Sequence, residues 1–193
     1  MITPLRLEHV DRVARLHCET LNGLLTRLGV PAASAFYRGC TRSDIAVGLV
    51  DVADGVLRGF VVGSVHPDRL NGDVLRRNPF DTLVSVATGV VTNPSSLTLL
   101  LENVRRPEEA LYDRQAPSLV YLAVAPEARR AGVGRTLVDA FSERMRAAGA
   151  GHYDLSVDED NASAIAFYER LGFKPIGTYR EFGATHRRYR LTL

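Results

Sequence analysis

The sequence predicts a mixed α/β (α+β) protein, and three features carry that prediction. Residues 120–136 run from a short series of strand formers through a glycine-containing loop directly into a helical pattern. A second stretch holds two strand-like runs joined by Asp54-Gly55, a dipeptide typical of hairpin turns. Apolar residues recur at helical spacing over 133–148 and again over 162–171. We therefore expect a sheet flanked by helices.

In the first half of the chain, residues 2–6 are predicted to form an edge strand and residues 7–25 a helix. That helix places His17 on its inward face, where it is either a core residue or part of the wall of an acceptor pocket. A shorter helix is predicted over residues 32–40, after a break that contains a glycine and a proline. The strands of the predicted hairpin span residues 45–52 and 56–64.

The segment from about residue 66 to 117 is less regular and reads as an insertion between the third and fourth strands of one domain, 1–193. Its helical runs, separated by Asn-Pro pairs, are residues 69–77, 81–90 and 95–104. The insertion is either a helical cap without chemistry or a lid that shapes acceptor specificity.

The second half alternates strand and helix before a closing hairpin. Its predicted elements are a fourth strand over 118–125, a helix over 133–148, a fifth strand over 152–157, a helix over 162–171 and a hairpin over 175–182 and 185–193. Gly172 is predicted to end the last helix as a left-handed cap, with Phe173 folding back in a Schellman motif. Counted along the chain, these predictions give about seven strands.

The loop before the helix at 133 has the composition of an anion-binding site. Gly132 and Gly134 remove side chains that would keep a ligand away from the backbone, so N–H groups at a helix N-terminus can meet a phosphate. Arg129 and Arg130 add charged donors. A tight turn with two incidental arginines is the alternative. The loop lacks the Gly-Lys-Ser/Thr ending of a P-loop and the third glycine of a dinucleotide fingerprint.

Two stretches, LAVAPEARRAGVGRTLV and SVDEDNASAIAFYERLGF, resemble the GNAT superfamily of acyl-CoA-dependent N-acyltransferases. The resemblance is close over residues 119–176, loose over 2–64 and poor over 66–117, as in a member with a helical insertion after the third strand. It implies a mixed, mostly antiparallel sheet of about seven strands, splayed between strands 4 and 5. It also implies acetyl-CoA as co-substrate and no metal.

By matched position, the resemblance implies that the pantetheine arm meets main-chain groups of the fourth strand and that the pyrophosphate lies on the glycine loop. The cofactor-binding residues it implies are Leu122, Ala123, Val124, Arg129, Arg130, Ala131, Gly132, Val133, Gly134, Arg135, Thr136, Asn161 and Tyr168. Asn161 would fix the acyl-CoA arm, and it equally suits the N-cap of the next helix; both roles can hold. Tyr168 would stand near the thioester sulfur, or be a core aromatic.

The reaction that the resemblance implies is attack of a neutral amine on the thioester carbonyl, with Val124 and Tyr168 as catalytic residues. The main-chain N–H of Val124 would stabilise the oxyanion, and Tyr168 would protonate the departing thiolate. No general base is evident. The region where family members often carry one offers Ser118, and the acidic run of Asp158, Glu159 and Asp160 reads as a solvated turn. A water relay would remove the need for a dedicated residue.

The sequence is compatible with three functions. The favoured one is N-acetylation of a primary amine on a small molecule, an amino sugar or related metabolite. The second is a non-catalytic acyl-CoA sensor of the same fold, and the third is acetylation of a protein N-terminus or lysine. The resemblance does not separate these acceptors.

Composition and charge limit the classes of partner and the location that we expect for this protein. At 193 residues, 46% apolar and 24% charged, the chain can bury a core as one domain, and a net charge of +2 with scattered basic residues does not indicate a nucleic-acid partner. The apolar windows at 83–91 and 97–101 are shorter than the ~20 residues of a membrane span. The charged N-terminus lacks a signal-peptide pattern, so we expect a cytoplasmic protein. Cys18 and Cys40 fit no metal spacing. The oligomeric state, monomer or homodimer, stays open.

Overall fold

The computed structural model describes residues 1–96, 116–181 and 184–193 of the chain. Its strands are β1 (Ile2–Pro4), β2 (Ala46–Ala53), β3 (Val56–Ser64), β4 (Ser118–Val124), β5 (His152–Asp158), β6 (Lys174–Glu181) and β7 (Ala184–Thr192). In this part of the chain they form a seven-stranded sheet in the order β1-β2-β3-β4-β5-β7-β6. Neighbours are antiparallel except β4 and β5, which are parallel. The predicted mixed, mostly antiparallel sheet is confirmed.

The β2–β3 hairpin turns at Asp54 and Gly55, whose φ angles are 52° and 76°. Two consecutive residues with positive φ give a type I′ turn, whose twist matches that of the strands it joins. The predicted Asp-Gly hairpin is therefore confirmed, with strand bounds within one residue of those expected.

Helices of the N-terminal half cover one face of the sheet. They are α1 (Val10–Thr20), α2 (Leu24–Leu28), α3 (Val30–Cys40), α4 (Pro67–Arg77) and α5 (Pro79–Thr92). Helices α1 and α3 share a buried cluster with β3 and β4 that includes Val10, Val13, Ala14, Ala33, Tyr37, Phe60, Val62 and Ala123. In the described residues, no helix combines the length and the apolar character that crossing a bilayer would require.

The first helix is shorter than the sequence predicts. A 3-10 turn at Leu7–His9 precedes α1, and the helix ends where Leu21 takes an extended conformation with φ of −114° and ψ of 152°. Gly23, with φ of 117°, then turns the chain through a conformation that other residues rarely adopt. The predicted single helix over 7–25 is thus split into separate pieces.

Helices α4 and α5 correspond to the first two helical runs predicted in the insertion. Helix α4 is tied to the chain before β2 by Asp73, which accepts a hydrogen bond from Ser43 Oγ at 2.6 Å, and by Arg77, which pairs with Asp44 at 2.6 Å. Most of the third predicted run, 95–104, lies outside the described residues.

The other face of the sheet is covered by α6 (Val133–Ala147). Its buried residues pack with β3, β4 and β5 in a second cluster that includes Val61, Leu119, Val133, Leu137, Phe141, Met145, Tyr153, Leu155 and Val157. Gly59 of β3 permits this packing, because a Cβ there would lie 3.1 Å from Leu137 Cδ1 and 3.2 Å from Val133 Cγ1. Close contact at Val133 fixes the position of the helix N-terminus beside the sheet.

Helix α7 (Ala162–Arg170) ends in the predicted Schellman motif. Gly172 has φ of 93° and donates its N–H to the Glu169 carbonyl at 3.0 Å, while Phe173 donates to the Tyr168 carbonyl at 3.1 Å. Phe173 is consequently buried next to Tyr168, with ring centroids 5.4 Å apart.

Candidate functional site

The sheet opens between β4 and β5. In the described residues these parallel strands share one register pair, Ser118 with Asp154. Asp154 donates its N–H to the Pro117 carbonyl at 2.9 Å, and Ser118 Oγ donates to the Asp154 carbonyl at 3.0 Å. Beyond this pair the strands diverge, so the splay lies between strands 4 and 5, as the family resemblance implies.

Strand β5 stays paired with β7 where it separates from β4. It pairs with β7 along its whole length, from His152 opposite Thr192 to Asp158 opposite His186. Buried ion pairs reinforce this join: Asp154 is 1% exposed and contacts Arg188 at 2.8 Å and Arg190 at 2.7 Å. One edge of β4 therefore loses its sheet partner after Ser118.

Alternation along β4 decides which main-chain groups face the opening. The Ala125 N–H donates to Arg58 at 2.8 Å, on the β3 side, and the Ala123 carbonyl lies against Gly59. Since successive residues of a strand point their N–H and C=O groups to opposite sides, Leu122 and Val124 face the opening. The Val124 carbonyl accepts a hydrogen bond from Arg129 Nε at 3.4 Å. The main-chain groups of Ala123 point toward β3 and not toward the opening.

The loop before α6 presents a series of unused backbone donors. Arg130 has φ of 63° and Gly132 has φ of 81°, left-handed conformations that turn neighbouring N–H groups toward one side. The first hydrogen bond of the helix runs from the Thr136 N–H to the Gly132 carbonyl at 3.0 Å. In the described part of the chain, the N–H groups of residues 131–135 have no acceptor. Such donors at a helix N-terminus fit an anion.

Charge around this loop is positive. The side chains of Arg129 and Arg130 are exposed, and Arg135 lies in the first turn with Asp139 at 3.7 Å. Exposed guanidinium groups next to unused N–H donors are a suitable environment for a diphosphate. The predicted residues 129–136 are thus contiguous in space as well as in sequence.

Helix α7 meets this loop through Phe167. A Cβ at Gly134 would lie 3.2 Å from Phe167 Cζ and 3.5 Å from Val124 Cγ2. The start of α6, the end of β4 and the middle of α7 therefore converge. This convergence joins the loop before α6 to the helix that carries Tyr168.

Tyr168 is buried in the core cluster beneath α6 and is 8% exposed. Its ring packs edge-on against Phe167, with centroids 5.1 Å apart. Burial raises the pKa of Tyr168, so its hydroxyl is held in the protonated form at neutral pH. The side chain is therefore a core aromatic, one of the two interpretations from the sequence, and its role beside the thioester sulfur stays a prediction.

Asn161 forms the N-cap of α7. Its side-chain oxygen accepts the Ala164 N–H at 3.0 Å, which confirms the capping role expected from the sequence.

His17 faces inward, as the sequence predicts, and is fully buried. Its Nδ1 lies 2.7 Å from the Tyr37 hydroxyl, and its ring packs edge-on against Tyr121 of β4 at a centroid distance of 4.7 Å. Burial lowers the pKa of His17 to about 4, so the imidazole is neutral at physiological pH. These rings border β4 on the face opposite α6.

The structure also brings together two residues that the sequence does not connect. Asp158, expected in a solvated acidic turn, closes β5 and lies 2.9 Å through Oδ1 from Nδ1 of His186. Its neighbour Glu159 pairs with Arg187 at 3.1 Å. Only the strand order places β7 beside β5, so no local sequence signal indicates this contact.

Two open depressions of about 530 and 430 Å³ lie elsewhere, beside β1 and the 3-10 turn. Arg6 and Glu8 line both of them. Neither depression contains a residue of the splay or of the loop before α6, so we assign no part of the site to them.

Comparison with known proteins gives a family match over most of the chain. The family model described as the acetyltransferase (GNAT) family matches residues 10–173. A mycothiol acetyltransferase of Beutenbergia cavernae is 35% identical over 71 residues, which are 37% of this chain and 24% of that protein. A mycothiol acetyltransferase of Rhodococcus opacus is 42% identical over 67 residues, 34% of this chain and 22% of that protein. The chain thus spans under a quarter of the length of these curated relatives.

Among solved structures, an N-acetyltransferase from Staphylococcus aureus Mu50 has a TM-score of 0.66 at 14% identity, over 99% of this chain and 100% of that one. A likeness at this identity shows a shared fold. The family match itself extends from the first residue of α1 to the Schellman cap of α7, most of the chain. The chain therefore belongs to the acetyltransferase (GNAT) family.

Proposed function

We propose that this protein is an acetyl-CoA-dependent N-acetyltransferase that acts on a primary amine of a small molecule. One observation carries the proposal: the opening between β4 and β5 is continuous with the unused N–H groups before α6. A sheet edge supplies hydrogen bonds to amides, and the loop supplies them to an anion. Acetyl-CoA carries both kinds of group in one molecule.

The chain's own residues have distinct roles in binding. The N–H groups of residues 131–135 bind the diphosphate. Arg129 and Arg130 lie beside it, as does Thr136 in the first turn of α6. Leu122 and Val124 take up the amides of the pantetheine arm on the free edge of β4, next to Ala123. Asn161 fixes the acyl arm from the start of α7 while capping that helix. The co-substrate supplies an activated acetyl group.

Two residues assist the transfer. The Val124 N–H points into the opening, where it stabilises the negative charge that develops on the carbonyl oxygen during attack. Tyr168 keeps its proton because of burial and donates it to the departing sulfur. A phenol whose pKa exceeds that of a thiol, ~8.5, is a weak acid for this task, so its position matters more than its acidity.

A small-molecule acceptor is favoured by the names of the curated relatives, which are mycothiol acetyltransferases. An amino sugar or related metabolite fits this class and the cytoplasmic location that we expect. Turnover separates an enzyme from an acyl-CoA sensor of the same fold.

The test is a panel of small primary amines, including amino sugars, assayed with acetyl-CoA for release of free thiol. Calorimetry with coenzyme A measures binding in parallel. Amine-dependent thiol release supports the enzyme. Tight coenzyme A binding without turnover on small amines, N-terminal peptides or lysine peptides would leave the sensor as the function. Turnover only on peptides would assign a protein acceptor.

A further inference from the structure

Helix α5 (Pro79–Thr92) carries large apolar side chains on the side that faces away from the domain. At about 100° per residue, one arc of the helix holds five exposed residues, which we call the outer stripe: Phe80, Leu83, Val84, Ala87 and Val91. Phe80 and Val91, near the two ends of the stripe, are 77% and 79% exposed. No residue in the described part of the chain covers this stripe.

The inner face of α5 is small and polar. Gly89 lies on the side of the helix opposite Phe80, where a Cβ would lie 2.6 Å from the carbonyl oxygen of Leu28 in α2. Thr82 and Ser85 share that face and are half-buried. A helix on the surface of a domain ordinarily places its apolar residues inward and its polar residues outward. Because α5 reverses this pattern, its outer stripe has the composition of a surface that is buried in an assembly.

The outer stripe is free of charge. Asp81 is the one charged residue among residues 79–92, and Arg38 of α3 contacts it at 2.6 Å. At the border of the stripe, the hydroxyls of Thr88 and Thr92 donate to carbonyls of the same helix at 2.8 and 3.0 Å. Their polar atoms can therefore be buried without losing a hydrogen bond. Helices that lie on anionic membranes carry basic residues on their polar face, and α5 carries none.

We propose that the outer stripe is the interface of a symmetric homodimer, in which α5 of one copy packs antiparallel against α5 of a second copy. A two-fold axis makes every contact occur twice, once in each direction. With the axis between Ser85 and Val86, Phe80 lies opposite Val91 of the second copy, and Val84 lies opposite Ala87 of the second copy. Each pair joins a larger side chain to a smaller one, which close packing of two helices favours.

The exposed area is sufficient for such a dimer. The five residues of the outer stripe expose about 500 Å², as much as the largest apolar patches of typical monomeric proteins. Two stripes that cover each other bury about 1,000 Å² in total, the lower bound for a specific protein–protein interface. None of the five side chains brings a polar group that would need a partner. We therefore expect a reversible dimer whose population depends on protein concentration.

The test is sedimentation velocity of the 193-residue protein over a range of concentrations. The wild-type protein should form a dimer that dissociates on dilution. Val91→Glu should raise the dissociation constant at least about 100-fold, because the symmetry places two carboxylates against apolar side chains. Val56→Glu is the matched control: Val56, at the start of β3, is 63% exposed and lies outside α5. This variant should remain dimeric, and far-UV circular dichroism checks that both variants keep the fold.

A charge exchange tests the pairing of Phe80 with Val91. Phe80→Lys and Val91→Glu should each be monomeric alone. Mixed together they should form a heterodimer, because one of the two symmetric contacts then joins lysine to glutamate and the other keeps phenylalanine opposite valine. An unfolded variant would not be restored by mixing, so this measurement also separates a lost interface from a lost fold.

Several outcomes would overturn the inference, and all of them leave the proposed function intact. A wild-type protein that stays monomeric at the highest concentration would show that the outer stripe does not bind a second copy. A lower free energy of unfolding in Val91→Glu would then assign the covering of α5 to residues 97–115 of the same chain, and binding to anionic lipid vesicles would assign it to a membrane surface. A wild-type dissociation constant in Val91→Glu, or an equal loss of dimer in Val56→Glu, would place the interface elsewhere. Failure of the mixed variants to associate would refute the antiparallel pairing.

Discussion

Gly134 and Phe167 are in such close contact that a Cβ on Gly134 would lie 3.2 Å from Phe167 Cζ. The contact joins the N-terminus of α6 to the helix that carries Tyr168. The same Cβ would lie 3.5 Å from Val124 Cγ2, at the end of β4. One small residue thus allows the loop before α6, the opening of the sheet and the helix of the predicted proton donor to lie close together.

Substitution of Gly134 tests this contact. Gly134→Val should displace Phe167, cost about 1–3 kcal/mol of unfolding free energy through overpacking, and weaken coenzyme A binding at least tenfold. Calorimetry and chemical denaturation measure the two effects. Gly72→Ala is the control: nothing lies within 4 Å of the Cβ position of this glycine in α4, so coenzyme A affinity should stay unchanged. Unaltered affinity in Gly134→Val would count against the loop as the diphosphate site.

Arg129 and Arg130 should contribute charge to diphosphate binding. The double substitution to alanine should reduce coenzyme A affinity by one to two orders of magnitude, equivalent to about 1.4–2.8 kcal/mol, and more at low salt than at high salt. Arg144→Ala, at the opposite end of α6, removes an exposed cation from the same helix and should have little effect. Equal losses in both proteins would indicate a general charge effect.

Tyr168→Phe should lower kcat by about 10²-fold because it removes the proton that the departing sulfur requires. Coenzyme A affinity should change by less than about twofold, since the ring and its packing remain. Tyr153→Phe provides the contrast. It deletes a buried hydroxyl that lies 2.9 Å from Ser142 Oγ, so it should cost about 1 kcal/mol of stability and leave kcat near wild type. Turnover by Tyr168→Phe at the wild-type rate would return Tyr168 to a purely structural role.

His17 should make stability depend on pH. Its folded-state pKa of about 4 lies below 6.5, the ordinary pKa of histidine, so the unfolded state binds a proton first as pH falls. The stabilising contribution is therefore complete above pH 6.5 and is lost as pH falls toward 4, by about 3 kcal/mol at ~1.36 kcal/mol per pKa unit. Denaturation at a series of pH values measures how steeply the free energy of unfolding changes with pH.

In His17→Gln the part of the pH dependence of stability that comes from His17 should disappear. The glutamine amide can still form a hydrogen bond with the Tyr37 hydroxyl. His66→Gln, a substitution of an exposed histidine, should keep the wild-type slope. A His17→Gln protein with the full acid sensitivity of wild type would show that another group is responsible.

Part of the fold is determined locally and could be predicted from the sequence. The turn at Asp54-Gly55 follows from two residues that tolerate positive φ, and the Schellman cap at Gly172 from one glycine after an apolar helix face. The run from β4 through the loop into α6 is equally local. The end of α1 was predicted too late, because apolar spacing continues to Leu24 while Gly23 already turns the chain.

What the chain determines by itself is therefore its set of elements, their order and the glycine loop before α6, because each depends on residues within a few positions of one another. Only the tertiary structure decides that β7 lies between β5 and β6, and hence that Asp158 meets His186. It likewise decides that Leu122 and Val124, not Ala123, face the opening. Contacts between strands depend on order and register, and these are set by packing across the whole sheet.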